Sequence, residues 1–130
     1  MKPFALIIIG NSEQARRYKK AIDGVGFQVQ SVTTGARAQA QLTFTTPDLI
    51  VLDMHLPDIP GEVVLRQIKA CRRLADTHLI LLSAGENLAK DDTSGLSLIL
   101  ERSVRPADLA ALAKSMKKKT IRVERDNLIW

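Results

Sequence analysis

The sequence predicts an α/β sandwich, a parallel sheet of five strands with helices on both faces. Two observations carry this. Short apolar runs alternate with stretches of helical periodicity along the chain. The central runs, FALIII (Phe4 to Ile9) and LIVLD (Leu49 to Asp53), are apolar at consecutive rather than alternate positions, as strands buried on both faces must be. Right-handed crossovers then restrict the topology to a doubly wound sheet, most economically in flavodoxin-like order.

After FALIII, Ser12 offers a helix N-cap with Glu13 in the first turn, and Ala15, Tyr18, Ile22 and Val25 recur at helical spacing until GVGF breaks the pattern. FQVQSVT is less apolar and reads as a strand nearer an edge. TGARAQAQLTF is a short, Ala-rich helix ending before Pro47. The central strand LIVLD is followed by a helix from about Gly61 to Arg73, with Val64, Leu65, Ile68 and Cys71 inward. HLILLS and LSLILE are the last two strands. Between them GENLAKDDTS stands where a fourth helix belongs, with almost no apolar face. Pro106 at a first helical position and Asp108 in the first turn open the final helix, whose buried stripe is Leu109, Leu112, Ala113 and Met116.

The 130 residues suit one domain with a real core, and 45% apolar with 25% charged residues is ordinary for a globular chain. The lone Cys71 forbids an intrachain disulfide, and the longest apolar runs are too short to span a bilayer. A cytoplasmic protein without a membrane segment is expected. Six of the 19 Lys/Arg and two of the 14 Asp/Glu fall from Lys114 onward, leaving 13 against 12 before it, so the net charge of +5 sits mainly in the tail. Residues 1–117 are expected to form the domain and 118–130 a basic tail or linker. TIRVERDNLIW alternates weakly and fits a short strand, an arm for a partner, or a cut end.

Ligands of such sheets meet the C-terminal ends of the strands. The residues there are Gly10 and Asn11, Asp53 with Met54 and His55, Ser83 with Ala84, and Glu101 with Arg102. At this point the sequence resembles the receiver domain of two-component response regulators. PDLIVLDMHLPDIPGEVVLRQIK is similar to that family's phosphoacceptor segment, with Asp53 in the acceptor place and Pro57 and Gly61 in the loop. Ser83-Ala84 is similar to its switch hydroxyl and small neighbour, and LERSVRPADL to its Lys-Pro-hydrophobic-x-Pro-x-x-Leu stretch. The similarity covers about Lys2 to Lys117.

The departures concern the chemistry. The family places two acidic residues after the first strand, where IIIGNSE gives Gly10 and Asn11. It places a lysine after the fifth strand, where alignment on Gly95 and RPADL gives Arg102, followed by Ser103. Its aromatic switch position falls on Ile99, and the fourth-helix region is about three residues short of the usual spacing. The resemblance implies Mg²⁺ held by the acidic pair, the acceptor and one backbone carbonyl. Here the formal charge of Asp53 and Arg102 sums to zero. Each missing carboxylate near 4 Å removes an attraction of roughly 4 kcal/mol per unit charge pair at an effective dielectric of about 20. That matches the whole binding energy of a millimolar site, about 4 kcal/mol. Only Asp53, Asn11 and the His55 backbone remain as ligands if any Mg²⁺ binds, so metal-assisted phosphorylation of Asp53 is expected to be lost or severely impaired. Arg102 is expected to reach Asp53 directly or across a water, because a guanidinium fork matches a carboxylate.

Three functions follow in order. The first is a pseudo-receiver, a protein-interaction module for a histidine kinase, phosphotransfer or output domain, and compatible with a homodimer. The second is a working phosphoacceptor using Asp53, Ser83 and Arg102 with little or no metal. The third and weakest is a nucleic-acid-associated module driven by the basic tail. No enzyme is expected: Ser83 and His78 lie at opposite ends of one strand, Cys71 has no adjacent base, and Gly10-Asn11-Ser12 lacks a phosphate-loop motif.

Overall fold

The computed structural model describes residues 2–84 and 98–129, with side chains through residue 117. Five parallel strands form one sheet: β1 (Phe4–Ile8), β2 (Gln28–Val32), β3 (Leu49–Asp53), β4 (His78–Ser83) and β5 (Leu98–Glu101). Their spatial order is β2-β1-β3-β4-β5, the flavodoxin-like winding that the alternating pattern requires. The described helices are α1 (Ser12–Asp23), α2 (Gly35–Phe44), α3 (Gly61–Ala70) and α4 (Pro106–Ile129), with a 3₁₀ turn at Arg72–Leu74.

The pleat sorts the strand residues into two cores. Leu6, Ile8, Ile50, Leu52 and Leu81 pack with α2 and α3, whereas Ala5, Ile7, Ile9, Val51, Ile80 and Leu82 pack with α1 and α4. Every residue of β3 is buried, so the strand carrying Asp53 has no freedom to slip in register without exposing an apolar side chain. Phe27, Tyr18 and Ile22 fill the α1 side, where Gly26 turns the chain into β2 with φ of 99°, a conformation that favours glycine.

Several local expectations are corrected. Asn11, not Ser12, caps α1: its backbone is extended and its side chain accepts a hydrogen bond from the Gln14 N–H at 2.9 Å. Helix α3 stops at Ala70 instead of Arg73. Cys71 is therefore its C-cap, half-buried against the α2/α3 core and not an inward helix residue. Among the described side chains of α4, Leu109, Ala110 and Ala113 are buried, while Leu112 and Met116 are only partly covered. Helix α4 runs through Ile129, in place of the short strand that was one of the three readings of TIRVERDNLIW. The segment GENLAKDDTS, where a fourth helix was expected between β4 and β5, lies outside the described residues.

The loops at the two ends of the sheet are tied differently. At the N-terminal ends of the strands, Arg73 donates to the carbonyls of Leu42 and Thr45 and to the Thr46 hydroxyl. There too the Thr77 hydroxyl donates to the Pro47 carbonyl at 2.7 Å, and the Phe4 N–H to Asp48 at 2.8 Å. At the opposite end, Asp58 from the β3–α3 loop accepts from the N–H groups of Gly35 (2.8 Å) and Ala36 (2.9 Å), capping the start of α2. These donors hold the Asp58 carboxyl below its ordinary pKa, Ala36 first and Gly35 second.

Candidate functional site

The site lies at the C-terminal ends of β1, β3, β4 and β5. Asp53 ends β3 and is fully buried, beside Leu82 of β4. An ionised side chain in such a place requires partners. One is the backbone: the His55 N–H donates to Asp53 Oδ1 at 2.9 Å, while the His55 ring faces solvent. The other is Arg102, just past β5. Its Nε lies 3.2 Å from Oδ1 and its Nη2 donates to Oδ2 at 3.4 Å. The ion pair is close, but its hydrogen bonding is poor: the Nε–H is not aimed at Oδ1, which leaves Nε buried without a hydrogen-bond partner. About a third of the Arg102 side chain (31%) remains exposed, which connects the site to solvent.

The backbone of Arg102 is fastened on both sides. Its N–H donates to the Ser83 carbonyl at 3.1 Å, joining it to the tip of β4. Its carbonyl accepts from Gln14 Nε2 at 2.7 Å and from the Tyr18 hydroxyl at 3.2 Å, joining it to α1. The single Tyr18 O–H is shared between that carbonyl and the nearer Val104 carbonyl, and the hydroxyl oxygen accepts from Gln14 at 3.1 Å. Burial raises the Tyr18 pKa, against the Gln14 hydrogen bond, and the nearby Asp53 charge adds to the rise.

Of the other residues expected here, Ser83 is buried at the end of β4 and Ala84 is exposed beyond it. Gly10 supplies no side chain, and a Cβ there would stand 3.0 Å from the Pro57 ring. The Asn11 carbonyl oxygen is engaged as the α1 cap. Ile99 on β5 is 45% exposed. Three contributors were missed. The pairing of Ile8 with Leu52 places Ile9 next to Asp53 in register, on the same α1/α4 face, so the β1 side chain nearest the acceptor is apolar. Tyr18 and Gln14 were read as parts of a helix rather than of the site. The only signal available for Tyr18 was a phenol in a buried stripe, which must find a hydrogen-bond partner.

These donors do not suit a hard divalent cation, which takes oxygen ligands in a near-octahedral shell. Asp53 is the one buried carboxylate among the described residues at the strand tips, Glu101 at the end of β5 being exposed, and both Asp53 oxygens already face Arg102. No group of three or more acidic, His or Cys side chains converges among the described residues. What the arrangement does is hold a buried carboxylate against a half-buried cation at the mouth of the sheet.

The fold and this site define a receiver, and comparison with known proteins agrees. The family model for the response regulator receiver domain matches residues 5–117. The chain belongs to the response regulator receiver domain family. Among relatives, it is 29% identical over 120 residues to the transcriptional regulatory protein GltR of Pseudomonas aeruginosa, covering 88% of this chain and 49% of that one. It is 34% identical over 102 residues to the regulatory protein VanRc of Enterococcus gallinarum, covering 72% and 41%. The chain thus spans less than half the length of either. Two solved structures share its fold. A CheY-like receiver domain from Methylobacillus flagellatus has a TM-score of 0.77 at 24% identity, covering 89% of this chain and 99% of that one. The chemotaxis response regulator CheY4 of Vibrio cholerae has a TM-score of 0.78 at 16% identity, covering 89% and 99%. No helix among the described residues is long and apolar enough to cross a membrane.

Proposed function

We propose that this receiver works as a pseudo-receiver in two-component signalling, in which Mg²⁺-dependent phosphorylation of Asp53 is lost or severely impaired. It would act in the cytoplasm as a binding module, not an enzyme, for a signalling protein such as a histidine kinase, a phosphotransfer protein or an output domain. One observation supports this above others: Arg102 occupies both oxygens of Asp53, while the tip of β1 offers Ile9, Gly10 and a capping Asn11 instead of acids. A phosphodonor would have to displace a guanidinium, and no second carboxylate on β1 would help to hold the cation that shields the incoming anion.

The test is direct. Mg²⁺ is titrated into ¹⁵N-labelled protein, and a small-molecule phosphodonor is then added with intact-mass detection. No saturable shift of the Asp53 to Leu56 amides at millimolar Mg²⁺ and no added phosphoryl mass are expected. Millimolar affinity with an adduct that Asp53→Asn abolishes would overturn the proposal. That outcome would favour the second reading, a working phosphoacceptor, for which the buried Ser83 hydroxyl and the Arg102 charge are the supporting features.

A further inference from the structure

We infer that Gln14 and Tyr18 of α1 are positioning residues that latch Arg102 closed over Asp53, so that access to the acceptor carboxylate is governed from α1. The inference rests on the reading of Asp53 as a sequestered acceptor. It begins from a mismatch. Arg102 sits over a fully buried carboxylate, yet its contacts there are long or misdirected: 3.4 Å for the one hydrogen bond, and a buried Nε with none. Attraction to the carboxylate draws a long, rotatable side chain toward Asp53, but with a third of its surface still in water and poorly directed hydrogen bonds it does not fix one pose.

Its backbone explains the pose. The Arg102 N–H is bound to the Ser83 carbonyl, and its carbonyl accepts from Gln14 Nε2 at 2.7 Å and lies 3.2 Å from the Tyr18 hydroxyl, whose one proton it shares with the Val104 carbonyl. The Tyr18 hydroxyl also holds the Val104 carbonyl, and the Val104 N–H closes a turn onto Glu101 at 3.0 Å. The segment from Glu101 to Val104 is thereby fixed on both sides, and the Arg102 Cα–Cβ bond can aim only toward the end of β3. Tyr18 is itself locked: its ring is 2% exposed in the α1/α4 core, and its hydroxyl accepts from Gln14 one turn earlier. A rigid phenol therefore carries the position of α1 to a guanidinium whose own bonds are weak.

Removing the two polar groups while keeping the ring tests this. In Gln14→Ala/Tyr18→Phe, the Arg102 Nε–H resonance is expected to lose its protection, exchanging with solvent at least tenfold faster. Labelling of Asp53 by a water-soluble carbodiimide with glycine amide, read by peptide mass spectrometry, is expected to rise severalfold. The exposed Asp23 in the same sample serves as internal standard for the labelling reaction, and an unchanged midpoint of urea unfolding excludes general unfolding. Arg102→Ala alone is expected to raise Asp53 labelling by as much or more, and the triple variant to match Arg102→Ala, because the latch acts only through that side chain. Tyr18→Phe alone, the smallest change, covers the case in which the double variant folds poorly. Unchanged Arg102 exchange and Asp53 labelling in both latch variants would overturn the inference. So would additive effects in the triple variant, which indicate general loosening of α1. Neither result touches the magnesium and phosphodonor test, so failure of the latch and failure of the pseudo-receiver reading are separable.

Discussion

Replacing Arg102 by alanine removes the one cation among the described residues that pairs with the buried Asp53 carboxylate, and the loss can be sized from the structure. Two unit charges at the observed 3.2 Å attract by about 5 kcal/mol at an effective dielectric near 20. Water reaches the 31% of the Arg102 side chain that is exposed, and the Nε–H is misaligned, so about 2 kcal/mol is the expected net coupling. The His55 N–H remains on Oδ1 and limits the damage. The assay is a double-mutant cycle at pH 7: wild type, Arg102→Ala, Asp53→Asn and the pair, each unfolded in urea. With a urea slope of about 1–3 kcal/mol per molar for a domain of this size, Arg102→Ala lowers the midpoint by roughly 1 M and leaves the slope unchanged. Asp53→Asn costs less, because a guanidinium facing a neutral amide can turn into solvent. A coupling energy below about 0.5 kcal/mol would refute the reasoning, since the ion pair would then be proximity without attraction.

Asp58→Ala removes both acceptors from the start of α2 and lowers the thermal midpoint, with loss of amide protection at Gly35 and Ala36. The Asp58 carboxyl is depressed in the folded state, so its stabilisation is full above the unfolded carboxylate pKa and lost as pH falls through the lower folded value. Acid titration of stability should therefore be shallower in Asp58→Asn than in wild type. Gly61→Ala places a Cβ 2.5 Å from the Met54 Cα and 2.8 Å from the Asp53 carbonyl, a clash with backbone, and destabilises by about 1–3 kcal/mol in urea unfolding. Asn11→Ala removes the α1 cap at about 1 kcal/mol, whereas Asn11→Asp keeps it and is neutral or stabilising beside the helix N-terminus; circular dichroism melts distinguish the two.

The sheet was legible because its strands are buried on both faces: LIVLD and HLILLS carry no polar interruption, and β3 and β4 span those runs from end to end. Asp53 stood out for the same reason, as a charge at the end of an apolar run before a Pro- and Gly-bearing loop. Helix ends were read less well. Ser12 and Asn11 are both good caps, and only the backbone angles choose between them. Ile9 is legible as the end of the apolar run FALIII, but that it stands beside Asp53 depends on the register of β1 with β3, information that no local pattern holds. Tyr18 was the hardest. Its period placed the ring in the core correctly, but the hydroxyl's acceptors lie 84 and 86 residues away in the β5–α4 loop.

The knots of Arg73, Thr77 and Asp48 at the floor of the sheet have a consequence for how this molecule tolerates change. They anchor the crossovers far from Asp53, so the scaffold does not lean on the mouth of the barrel-less sandwich for its shape. Chemistry at the rim can therefore be exchanged, an acid for a glycine or an amine for a guanidine, with the foundations left standing. On the pseudo-receiver reading proposed above, fewer carboxylates at that rim mean less repulsion for the fold to overcome, and no trigger there.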